Sequence, residues 1–301
     1  MHTETPITKK LSWLNVVSPT NEEVAMLAER FYLHPVIAGE LGVPSSRSRV
    51  ESHDGYLFLV YHLPLYDIEN QVSRRAEIDV IATEGVLITV SYDDIEPIRE
   101  FERRIARLPE RDITSTAELA YHLIEAGNDF SVRQLRHVEE KTRIVGAELF
   151  RDSGKKLLKD ISIIKRDLLE FSLTAGSQRV MLESLVPVGS LFWGEQYRIY
   201  LADLWGDFLK THYLLENLRA TIESYSETVS QLFELKTAEV VRRFSILGFL
   251  TFPLILYATV ALEPTVARSF IRTPEDFWTI FGAVTVFVAV LAIAFRKKGW
   301  L

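Results

Sequence analysis

Ser52, His53 and Asp54 supply the residue types of a nucleophilic triad within three consecutive positions. Consecutive side chains diverge and cannot meet as nucleophile, base and orienting acid, so this tripeptide reads as a loop. The seven histidines, among them His34, His62, His122, His137 and His212, lack the spacing of metal ligands and read as structural or solvent-facing. No P-loop, GxGxxG turn, HExxH helix or nucleophile elbow is present, and an enzyme is not expected. With no cysteine in 301 residues, thiolate chemistry and disulfides are excluded, which suits a reducing compartment. What remains is carboxylate. Asp and Glu number 41 against 34 Lys and Arg, a net charge of −7. That balance argues against nucleic acid, whose phosphates need a basic face, and favours hard divalent cations such as magnesium or calcium, which take carboxylate oxygens. Abundant acids do not by themselves define a site, because a charge-rich helix is usually a solvated face.

The elements that must position these groups fall into two materials. Residues 1–112 read as an α/β domain. A strand over 11–17 leads into a helix with a capping box, Thr20 with Glu23, and a buried face of Val24, Leu27, Ala28 and Phe31. His34-Pro35 restarts a second short helix that stops at Gly42 and Pro44. Strands are expected at 56–62, 77–82 and 86–92, with Gly85 at positive φ in the last turn. Residues 113–243 are helical, with breaks expected at Ser153-Gly154, around Ala175-Gly176 and from Pro187 to Gly194. If residues 195–262 form one helix, it is about 100 Å long, a stalk or a coiled coil. The first thirty residues contain no apolar core of the secretory kind, so no cleaved leader is expected.

The tail differs. Residues 244–262 and 277–295 are runs of nineteen without a charged residue, each about 29 Å long as a helix, the thickness of a bilayer core. Arg242 and Arg243 precede the first run and Arg296, Lys297 and Lys298 follow the second, whereas only Arg268 and Arg272 lie in the connecting loop 263–276. The positive-inside rule then puts both termini and the tail 296–301 in the cytoplasm, and Trp278 and Trp300 at the two interfaces. Thr273, Pro274, Glu275 and Asp276 mark the start of the second helix, and Pro253 is a tolerated or kinking membrane proline in the first. Two spans cannot enclose an aqueous path, so transport requires an oligomer; the alternative is a hairpin that anchors a cytoplasmic domain.

The order of parts resembles the CorA family of divalent-cation transporters, which includes the zinc-transporting ZntB branch. The resemblance covers nearly the whole chain and is carried by Trp13-Leu14-Asn15, Phe31 to Pro35, Arg49-Val50-Glu51 before Tyr56 to Val60, Lys236 to Val241, and the ending Phe295 to Leu301. It implies a funnel-shaped homopentamer in the inner membrane, associated with lipid, whose long first transmembrane helix lines the pore. Its implied cargo is a divalent cation, magnesium, cobalt, nickel or zinc, which serves as ligand as well as substrate, with no covalent cofactor.

The family's Gly-Met-Asn signature is absent; its positions fall on Leu262, Glu263 and Pro264. Proline cannot offer the amide that the asparagine ring supplies, while five copies of Glu263 would concentrate cations at a pore mouth. The family's pore-facing stripe falls on Val241, Phe244, Gly248, Phe252, Ile255 and Thr259, a mostly apolar set that suits a hydrophobic gate or a pore that does not conduct. The family's regulatory metal site, acids from neighbouring subunits, falls on Glu40 and Asp203. Rival readings are proton-coupled zinc transport and a non-conducting sensor or scaffold.

Overall fold

In a computed structural model of the chain, residues 2–45, 47–67, 72–108, 113–149, 154–263, 271 and 273–300 are described. They divide into two units, Met1–Ser226 and Glu227–Leu301.

Six strands form one mixed sheet in the first unit: β1 (His2–Pro6), β2 (Ser12–Val17), β3 (Arg49–His53), β4 (Tyr56–Asp67), β5 (Val72–Ala82) and β6 (Val86–Ser91), in the order β1-β2-β6-β5-β4-β3. Only β2 and β6 run parallel. Both edges, β1 and β3, go beyond the expected strands. Their sequences, HTETP and RVESH, are polar because an edge strand buries little and must not invite further pairing. One sheet face packs Leu14, Val16, Phe58, Val60, Ile81, Ile88 and Val90 against Leu27, Ile37 and Leu41 of α1 (Asn21–Arg30), α2 (Pro35–Glu40) and the residue after it. Trp13, Leu57, Leu59, Tyr61, Ile78 and Val80, their alternate neighbours, are buried as well, so the central strands read as apolar runs.

Local chemistry sets the helix starts. Thr20 and Glu23 form the expected capping box on α1, and the Thr20 backbone N–H, 3.0 Å from Glu23 Oε2, draws that carboxyl down to about 2. His34 caps α2 by accepting from the Val36 N–H. Past α3 (Glu96–Ile105), α4 (Thr116–Glu148) opens on a second capping box, Ser115 with Glu118.

Three sequence expectations need correction. Gly85 does not have positive φ; a Cβ there would sit 2.9 Å from the Lys10 carbonyl oxygen, so the position requires glycine for space. Ser52 and His53 are not loop residues but end β3, and the turn of that hairpin is Asp54-Gly55, with Gly55 at φ +84°. Helix α5 (Lys155–Trp193) runs unbroken through Gly176 and Pro187 to Gly194, where φ is +113°. Burial of Thr174, Ala175, Gln178, Leu185 and Gly189 outweighs the propensity penalty of one glycine, and the proline deletes a single backbone bond.

A 3-10 turn, Glu195–Tyr197, leads into α6 (Arg198–Leu262), whose residues up to 226 belong to the first unit and the rest to the second. Helix α7 (Pro274–Lys297) starts on the Thr273–Asp276 capping box with Pro274 at its first position. Both α6, with its preceding turn, and α7 are long and apolar enough to cross a membrane, and only 6% and 0% of their apolar windows are buried within the chain. Apolar surface of that extent requires lipid or other chains around it.

Candidate functional site

In the second unit, α6 and α7 meet along one seam. Ile246 is buried, and Leu250, Pro253, Leu254 and Tyr257 are half-buried, on the α6 side. Phe277, Ile280, Val284, Val288, Leu291 and Phe295 form the α7 side at spacings of three and four. The Tyr257 hydroxyl donates to the Phe277 carbonyl at 2.7 Å, and its ring packs 5.6 Å from Phe277 and 5.9 Å from Phe281. Phe249 and Phe295 meet edge to face at 6.1 Å.

That seam leaves the opposite side of α6 uncovered, and the stripe named from sequence lies there. Val241, Phe244, Gly248, Phe252, Ile255 and Thr259 of that stripe, and Leu262 at the first signature position, are all exposed within the chain, Phe244 at 70% and Leu262 at 81%. The Thr259 hydroxyl is turned back onto the Ile255 carbonyl at 2.8 Å, so the stripe's one hydroxyl is engaged within its own helix. Glu263 is exposed and follows α6, its N–H donating to the Val260 carbonyl. Pro264 lies outside the described residues, as do Arg268 and Arg272 of the loop.

The first unit holds the two acids assigned to metal sensing. Glu40 ends α2, and its carboxylate accepts from Arg49 of β3, whose guanidinium also donates to Glu51 at 2.8 Å and lies 5.1 Å over the Phe58 ring. Asp203 of α6 accepts from the Tyr121 hydroxyl of α4 at 2.9 Å. Each acid therefore has a partner in its own chain. Among the described residues no cluster of three His, Asp or Glu side chains is placed to hold a metal ion. Hard carboxylate oxygens suit magnesium in type, but one chain brings too few of them together.

Beneath Glu40 lies a polar cluster that sequence reasoning missed. The register that pairs His62 with Glu77 and Val60 with Asp79 puts all three polar groups on the α2 side of the sheet. His62 Nε2 lies 2.9 Å from Glu77 Oε2 and 3.0 Å from the Ser45 carbonyl oxygen, both acceptors, so this nitrogen is assigned the proton and Nδ1 accepts from Ser48. Glu77 Oε1 takes the Ser45 N–H at 2.7 Å. Tyr92 donates to Asp79 Oδ2 at 2.7 Å and reaches the Glu40 carbonyl at 3.4 Å. Burial, and then the adjacent Glu77 charge, hold the Asp79 carboxyl well above the usual range. The cluster thus holds Ser45 and Ser48, which lie between α2 and β3 and hence between Glu40 and Arg49 in the chain. Acids at 77 and 79 interleaved with Ala76, Ile78 and Val80 in an expected strand were the available signal.

A family model described as CorA-like Mg2+ transporter protein matches residues 8–260 of this sequence. The chain belongs to the CorA family. Similar curated members include the cobalt/magnesium transport protein CorA of Thermotoga maritima, 22% identical over 96% of this chain and 83% of that one. The putative metal ion transporter YfjQ of Bacillus subtilis is 19% identical over 96% and 89%. In fold, the CorA magnesium transporter of Methanocaldococcus jannaschii superimposes with a TM-score of 0.81 at 18% identity, over 97% of this chain and 92% of that one. CorA family members are membrane transporters of metal ions and not enzymes, in line with the absence of catalytic motifs from the sequence.

Proposed function

We propose that this chain is one subunit of a homopentameric divalent-cation channel of the inner membrane, with both termini cytoplasmic and magnesium, cobalt, nickel or zinc as cargo. The observation that carries this reading is the CorA-family match combined with an apolar stripe on the one side of α6 that α7 leaves bare, with Glu263 at its end. Five such faces around an axis make a narrow apolar conduit that passes ions only when wetted. A divalent ion gains about 4.6 kcal/mol from a 100 mV inside-negative potential, so inward flux requires no nucleotide hydrolysis.

Gating follows from Glu40 and Asp203 if neighbouring subunits bring them together. A bridging cation must then compete with Arg49, which already neutralises Glu40. Metal bound at that position favours the assembly in which the subunits are held together, and its loss favours the looser one.

A second reading is a non-conducting membrane sensor or scaffold, favoured by Leu262-Glu263-Pro264 in place of the family's signature. Proton-coupled zinc transport is a third, distinguished by a dependence of zinc flux on a pH gradient. Purified full-length protein in liposomes, given each cation in turn under a defined potential, separates them. Saturable flux is expected, and Glu263→Ala is expected to lower it roughly ten-fold at low ionic strength, the scale of electrostatic focusing at a charged mouth. No flux for any ion from intact oligomers supports the scaffold instead.

A further inference from the structure

The chain's last residues form a built structure. After α7, Gly299 takes φ +69°, its N–H donates to the Arg296 carbonyl at 3.1 Å, and the Trp300 N–H donates to the Phe295 carbonyl at 3.0 Å. This pair of bonds is a Schellman cap, and the hydrophobic contact that accompanies such caps is present: the Trp300 ring stacks on Phe295 at 5.7 Å and 14°. The cap folds Trp300 back toward α6 and leaves a groove of about 380 Å³ lined by Arg242, Ser245, Ile246, Phe249, Phe295 and Trp300. Lys298 Nζ sits 5.4 Å from the centre of the Trp300 ring. The groove has an apolar floor and a cationic edge. No acid lines it, and the acid one helical turn before Arg243, Glu239, is engaged by that arginine at 2.6 Å.

We propose that this groove binds an anionic glycerophospholipid of the bilayer, with an acyl chain along Ile246, Phe249 and Phe295 and the phosphate at Arg242 and Lys298. The shape of the charge argues for this ligand. A free phosphate would leave the aromatic floor unused, and a zwitterionic lipid would leave the basic edge uncompensated, whereas a lipid with net negative charge uses both. Basic pockets between the cytoplasmic ends of membrane helices take such headgroups, and Trp300 is the amphipathic side chain suited to that depth. The inference rests on α6 and α7 spanning a bilayer and is independent of ion conduction.

The test uses full-length protein in phosphatidylcholine vesicles containing either brominated phosphatidylglycerol or brominated phosphatidylcholine, with no ion gradient. The readout is the part of the tryptophan quenching that Trp300→Phe removes. Phosphatidylglycerol is expected to quench Trp300 at a mole fraction about five-fold lower than phosphatidylcholine, the scale of one juxtamembrane basic side chain. Arg242→Ala and Lys298→Ala are each expected to reduce that preference toward unity, whereas Arg243→Ala leaves it in place. Equal quenching by the two lipids would overturn the site in favour of bulk lipid contact. No Trp300 quenching by either lipid would mean that another copy of the chain covers the groove. An equal loss in Arg243→Ala would reduce the site to diffuse surface charge. Flotation with the vesicles checks insertion of each variant, and native protein that failed to float would remove the membrane reading itself.

Discussion

Trp13→Ala is expected to destabilise the protein by about 3–5 kcal/mol, the cost of emptying a large aromatic site in a packed core. Trp13 is 2% exposed, meets Phe101 of α3 edge to face at 4.9 Å, and donates its indole N–H to Thr89 of β6 at 3.0 Å. Thr89 in turn donates its hydroxyl to Asn15 Oδ1 at 2.9 Å, so one indole ties together β2, β6 and α3. Domains have only about 5–15 kcal/mol to lose, which makes this a large fraction of the total. Thermal unfolding of the full chain in detergent, followed by circular dichroism, should show a midpoint lower by about 6–20 °C. Trp13→Phe keeps most of the ring packing and forfeits the hydrogen bond, so a loss of about 1–2 kcal/mol is expected for it. Equal losses for the two variants would refute the packing argument.

Asp79→Asn is expected to have the opposite sign. Asp79 is 1% exposed, its Oδ1 lacks a hydrogen-bond partner, and Glu77 lies beside it on the same strand. Burial and that neighbour raise its folded-state pKa well above the unfolded value of 3.8, so the folded protein retains a proton that the unfolded chain releases. The folded state therefore binds more protons, and stability falls as pH rises. The contribution is complete below about pH 3.8 and declines upward from there until the folded-state group itself ionises. Asparagine still accepts from Tyr92 and turns a donor toward Glu77. A gain of about 1–3 kcal/mol at pH 8 follows, the scale of a charge-assisted hydrogen bond in place of repulsion. The gain should shrink as pH approaches 4, and urea titrations at pH 4, 6 and 8 measure it. A gain that is independent of pH would show that ionisation of Asp79 is not its source.

The family resemblance treats Trp13 as a marker, and the fold shows that its work is packing, which is why a residue beside polar Asn15 and Ser12 is buried. The pair of acids that the resemblance assigns to metal sensing is different. The acids at 40 and 203 can be named from sequence, but Arg49, which competes for Glu40, cannot, because that contact forms only when β3 comes to lie beside the end of α2. Local rules likewise misjudge α5. Gly176 and Pro187 are breakers in isolation, and the burial that overrides them is a property of the neighbours and not of the segment.

What the sequence determined alone is whatever depends on adjacent residues or on one-dimensional length. The Thr20 and Thr273 caps are such features, because a cap closes within three residues, and the two apolar runs are others, because a bilayer sets a length and not a shape. The tertiary structure decided what requires two distant segments to meet. Strand register joined His62 to Glu77 and placed Asp79 within reach of Tyr92, making a polar cluster under Glu40 whose partners come from separate segments of the chain. Packing on α7 selected which side of α6 remains bare, since a helix apolar all round does not declare its partner. The left-handed residue at Gly299 turned a basic ending into one wall of a groove, because only a cap geometry could bring Trp300 back onto Phe295.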